Sequence, residues 1–121
     1  MERHALDCFN ILQKLRDELG TDVPVQQAQI LMLVAVFPDI VSKDLCSWLN
    51  MLPAGLSRNI KRLSQYKGKD GQIYGYNLME ARPSLDSGRQ FSYRLTDKGV
   101  ELIKKLGLTV KEGGDVRLQK G

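Results

Sequence analysis

At 121 residues, with 42% hydrophobic and 26% charged residues, the chain is long enough for one hydrophobic core and short for two. The net charge of +4 is unevenly spread: residues 1–51 carry 4 Lys/Arg against 7 Asp/Glu, residues 52–94 carry 8 against 3, and residues 95–121 carry 6 against 4. Cations confined to the middle third predict a footprint for a polyanion. A single histidine, His4, and two distant cysteines leave no material for a zinc site, a Cys/His pair or a Ser/His/Asp triad, so neither catalysis nor a cofactor is expected.

From Ala5 to Leu19, apolar residues recur at Leu6, Phe9, Leu12, Leu15 and Leu19, and Gly20 follows as a stop, which predicts an amphipathic helix. Ala5, Cys8 and Ile11 widen its apolar stripe. Packing on the core is the plain reading of that stripe, and a homodimer contact through helix 5–19 is the other. Cys8 and Cys46, both among apolar residues, read as reduced core thiols. The longest apolar run, Ile30 to Phe37, is far below the ~20 residues that cross a bilayer. With a charged start and no apolar segment after it, the expected location is cytoplasmic, with no membrane partner.

Val25 to Phe37 is nearly all apolar after its glutamines and predicts a central buried helix, entered past Pro24 and ended by Pro38. Ser42-Lys43-Asp44-Leu45 reads as a capped start for a short helix through Leu49. Asn50 suits the left-handed position that ends it, and Pro53 opens the next. A short helix, a tight junction and a second helix are the layout of a helix-turn-helix, here spanning about 41–66.

The second of these helices, read as Leu52 to Tyr66, carries Leu56, Ile60 and Leu63 on one stripe and Ala54, Arg58, Lys61 and Gln65 on the opposite one, with Ser57 and Arg62 beside it. Cations and a hydroxyl suit phosphates, Arg and Gln suit base edges, and a small residue lets backbone come close. A solvated amphipathic helix is the bland alternative.

Lys67 to Asn77 holds three glycines and cannot continue the helix. Lys69 lies between glycines without the spacing of a phosphate-binding loop. Tyr66, Tyr74 and Tyr76 among lysines fit a surface excursion with locally packed rings, or else stacking on unpaired bases. Phe91, Tyr93 and Leu95 alternate with Ser92 and Arg94, which together with Leu78 to Arg82 predicts a β-hairpin at about 78–95. Its tip holds Pro83, Ser84, Asp86, Ser87 and Gly88, flanked by Arg82 and Arg89. Thr96 caps a last helix with Asp97 in its first turn, ended by Gly107. Residues 108–121 read as a small hairpin or a frayed tail beyond a domain of residues 1–107.

The order of parts, α+β and mostly helical, is that of a winged helix-turn-helix with a two-stranded β wing. Val41 to Leu106 resembles the DNA-binding core of the MarR family of regulators. The resemblance rests on the helix around Lys43-Asp44-Leu45-Cys46-Ser47-Trp48-Leu49, on Leu56-Ser57-Arg58-Asn59-Ile60-Lys61-Arg62-Leu63, on the tip Asp86-Ser87-Gly88-Arg89, and above all on the junction Leu95-Thr96-Asp97-Lys98-Gly99. It implies a groove helix using Ser57, Arg58, Lys61 and Arg62, a wing arginine at Arg89, and double-stranded DNA as partner. Lys43 and Arg82 complete the candidate DNA contacts. Family members usually end in long helices that build a dimer, whereas only about ten helical residues follow Thr96, so pairing would fall to helix 5–19. The expected function is sequence-selective or general duplex binding, as a transcriptional regulator. The alternatives are a winged-helix protein-interaction module of the transcription or replication machinery and a single-stranded nucleic-acid binder.

Overall fold

The computed structural model describes residues 2–83 and 91–108. Helix α1 (Glu2–Leu19) begins three residues before the predicted start at Ala5. It is followed by α2 (Val25–Val36), strand β1 (Ile40–Val41), α3 (Ser42–Leu49) and α4 (Pro53–Leu63). A small ribbon of β2 (Tyr66–Lys67) and β3 (Ile73–Tyr74) comes next, then β4 (Met79–Pro83), β5 (Phe91–Leu95) and α5 (Asp97–Lys105). Arg89 with the rest of the wing tip, and residues 109–121 with the predicted tail hairpin, lie outside the described residues.

Helix α2 is central because it is apolar on almost every side. Ile30, Leu31 and Val34 are fully buried against Leu45 of α3, Leu56, Ile60 and Leu63 of α4, Leu78, Met79, Tyr93, and Leu102, Ile103 and Leu106 around α5. Truncating any one of these large side chains to alanine costs about 2–5 kcal/mol, since a close-packed core fills the cavity only partly.

β4 and β5 pair antiparallel from Met79↔Leu95 to Pro83↔Phe91. The wing is not only two-stranded. Ile40 and Val41 pair with Tyr93 and Ser92, giving a sheet in the order β1-β5-β4. Two residues are too few for a strand periodicity to be read, which is why the sequence conceals β1. A bidentate ion pair fastens this edge: Arg94 on β5 donates to Asp39 Oδ1 and Oδ2 at 2.7 and 2.8 Å.

Several helix ends differ from expectation. Ser42 does not cap α3: Val41 holds the cap position without a side-chain bond, and Ser42 Oγ donates instead to Phe91 O at 3.3 Å, tying α3 to the wing. Asn50 takes the left-handed conformation as expected (φ 51°, ψ 51°), and Met51 N–H closes on Cys46 O at 3.0 Å. Thr96 caps α5, its Oγ1 accepting from Gly99 N–H at 3.1 Å. Helix α4 ends at Leu63, short of Tyr66, because incoming backbone takes its last carbonyls. Tyr76 N–H donates to Arg62 O, Leu78 N–H to Leu63 O and Asn77 N–H to Ser64 O, at 3.0, 2.8 and 3.0 Å.

The apolar stripe of α1 divides in two. Leu15 is buried and Ile11 and Leu19 pack on the core, but Leu6, Phe9 and Leu12 remain 62%, 59% and 48% exposed. Cys8 is exposed as well and is no core thiol: along the first turns of α1 no described residue covers it. The C-terminal half is held by Tyr76 Oη donating to Leu19 O at 3.1 Å and by Lys105 on Glu18 at 3.2 Å.

Candidate nucleic-acid interface

Helix α4 is positioned by burial of one stripe. With Leu56, Ile60 and Leu63 in the core, a rotation of 100° per residue leaves Ala54, Ser57, Arg58, Lys61 and Arg62 outside, and each is exposed. Gln65 is exposed too, but it follows the C-cap Ser64 and therefore leaves the helical stripe on which its spacing placed it.

One polar contact that sequence reasoning missed fixes the rotation of α4. Gln27 on α2, only 5% exposed, donates through Nε2 to Asn59 Oδ1 at 3.3 Å, and Asn59 Nδ2 donates to Gly55 O at 2.9 Å. Gln27 Oε1 is buried without a partner. A polar pair 32 residues apart leaves no local signal, although a glutamine facing into an otherwise apolar helix is the kind of oddity that marks one.

The start of α3, the N-terminal turns of α4 and the root of the wing open on a common cleft of about 520 Å³, lined by Lys43, Cys46, Pro53, Ser57, Phe91 and Tyr93 among others. Lys43 and Ser57 thus share a surface with Phe91, the first described residue after the wing tip. Arg82 is not brought there. It pairs across from Ser92, so pleating sets it on the sheet face opposite Phe91 and Tyr93. There it meets Glu80 Oε1 at 3.0 Å, an exposed pair of little energetic weight.

The tyrosines are spent on one another. Lys61 Nζ sits 4.7 Å from the Tyr66 ring centroid, and Tyr74 stacks on Tyr66 at 5.8 Å and 28°. Tyr76 is turned inward to Leu19. Tyr74 donates to Asp70, and this bond, followed by that from Gln72 N–H, holds the Asp70 carboxyl below its ordinary value; the same contact raises Tyr74. Rings engaged this way are poorly placed to stack on unpaired bases.

Among the described residues, no group of three His, Cys, Asp or Glu could hold a metal, and no helix is long and apolar enough to cross a membrane.

No protein-family model matches the sequence, and no curated protein does. Solved structures do. A MarR transcriptional regulator from Methanosarcina mazei Go1 superposes with a TM-score of 0.61 at 16% identity, covering 92% of this chain and 66% of that one. A complex of S. aureus MepR with DNA gives 0.61 at 13% identity, covering 99% and 86%. A structure of MarR gives 0.59 at 17%, covering 98% and 77%. The chain therefore spans about two thirds of the Methanosarcina regulator, and its fold is the winged helix-turn-helix of the MarR-type regulators.

Proposed function

We propose that the chain binds double-stranded DNA through α4 and the wing, as a transcriptional regulator that works without cofactor or chemistry. The observation that carries the reading is the shared cleft: Lys43, Ser57 and the wing root open on one side, so one duplex can meet the basic helix and the wing together. Ser57, Arg58, Lys61 and Arg62 line the major groove in this reading, Ala54 allows close approach, Gln65 and Lys43 meet flanking phosphates, and Arg82 and Arg89 belong to the wing. The MepR–DNA complex, of the same fold, supports it. Pairing runs through α1, whose exposed Leu6, Phe9 and Leu12 form a hydrophobic seam.

The test is titration of duplex DNA from a random pool at several salt concentrations. Binding should fall steeply with salt, with a logarithmic slope near −0.9 per phosphate contacted. Arg58→Glu/Lys61→Glu should abolish it. A duplex affinity absent at low salt, or indifferent to that double reversal, overturns the reading and leaves a protein-interaction module of the same fold. Selection of a palindrome would mark a dimer on two half-sites.

A further inference from the structure

Between α4 and the wing stands a ribbon that neither the helix-turn-helix nor the wing requires. Its base is built into the end of α4. Arg62, Leu63 and Ser64 give their carbonyls to the segment that follows β3, and Gly75 passes so close to the Ser64 carbonyl, at φ +98°, that any side chain there would collide with it. Its turn is closed by Asp70, which accepts from Tyr74 Oη and from Gln72 N–H, the latter at 3.0 Å, and by Gly68 N–H donating to Gln72 O at 2.7 Å. The Tyr74 ring occupies the space beside Gly68 where a Cβ would stand. Through Tyr66 the ribbon reaches back to Lys61 on the outer face of α4.

Cations outnumber acids on the ribbon, two to one. Lys67 and Lys69 are exposed, and the ribbon's acid, Asp70, is already engaged by Tyr74 and Gln72. The four steps from Gln65 to Lys69 span at most about 13 Å at ~3.3 Å each, comparable to the ~12 Å width of a major groove.

We propose that the β2–β3 ribbon is a second DNA-contacting element, which carries the contact of α4 out of the groove onto the flanking phosphate backbone. Lys69 at its tip and Lys67 on its outer face meet phosphates, and Tyr66 holds Lys61 in position on the helix. The proposal rests on the duplex-binding reading. A clamped ribbon is suited to the task because its backbone has little conformational entropy left to lose.

The experiment compares the unaltered 121-residue chain with Lys67→Gln/Lys69→Gln in duplex binding across salt, with circular dichroism to confirm that both are folded. Two lost phosphate contacts should make the logarithmic salt slope shallower by about 1.8 and weaken binding tens of fold at about 0.1 M salt. Backbone protection from hydroxyl radicals should shorten at the edge of the site. Tyr66→Leu should weaken binding, and Tyr66→Phe, which keeps the ring face, should restore it. If the unaltered chain binds duplex and the double variant shows the same slope, or binds more tightly because the ribbon obstructs α4, the ribbon proposal falls alone. If the unaltered chain binds no duplex, the parent reading falls and takes the ribbon with it.

Discussion

Replacing Thr96 by valine keeps the shape of the side chain and removes its hydroxyl, which makes two bonds at the join between wing and α5. Oγ1 accepts from Gly99 N–H at 3.1 Å as the helix cap and donates to Asn77 O at 2.7 Å. Loss of an N-cap costs about 1 kcal/mol, and a second half-buried hydrogen bond about 1 more. Because both bonds are part-buried and both end on the one hydroxyl, the two losses together should come to about 2 kcal/mol. For a domain of this size that is a fall of roughly 6–12 °C in Tm. Urea and thermal unfolding of Thr96→Val should show it, with an unchanged denaturant slope, and Thr96→Ser, which keeps the hydroxyl, should recover most of it. Equal midpoints for the valine and serine variants would refute the reasoning and leave Thr96 a packing residue only.

Three further outcomes are expected. Gly99→Ala should destabilise by more than about 1.5 kcal/mol in urea unfolding, since a Cβ there would run into the Leu78 carbonyl, whereas Gly20→Ala meets open space and should lose only the smaller strain of its φ of +118°. Leu6→Glu/Phe9→Glu should convert any dimer to monomer in sedimentation, and a short bismaleimide bridging exposed Cys8 should trap the dimer of the unaltered chain but not of the variant. The ribbon turn should respond to pH at both extremes. A depressed Asp70 stabilises it above the ordinary carboxylate range and ceases to do so as acid carries pH through the depressed value; a raised Tyr74 stabilises it below 10.0 and ceases to do so as pH rises beyond. The Gln72 amide and Tyr74 ring resonances should therefore be flat between about pH 5 and 9 and move outside that window.

What could be read in the sequence was what local physics decides. The α4 stripe, the left-handed Asn50 and the Thr96 cap each depend on residues within one or two turns, and each is where spacing put it. What could not be read depends on distant partners. The end of α4 is set by amide groups more than ten residues downstream, and Ser42 is drawn from its expected cap by β5. Arg94 counted as a strand residue until Asp39, 55 positions away, claimed it. An apolar stripe does not report what covers it: the width of the α1 stripe allows both core packing and a contact with a second chain, but not which residues do which, and Leu6, Phe9 and Leu12 stand outside while Leu15 goes in.

Tyr76 touches both ends of this arrangement. Its hydroxyl holds the last turn of α1 and its amide holds the Arg62 carbonyl at the foot of the basic helix. In any pair of chains joined through α1, that residue would tie the seam to each α4 alongside buried Leu15 and the Lys105–Glu18 pair, so the spacing between the two helices would depend in part on how firmly its phenol grips Leu19. A phenylalanine there would keep the ring and loosen the ruler, leaving a pair that tolerates half-sites at more than one separation.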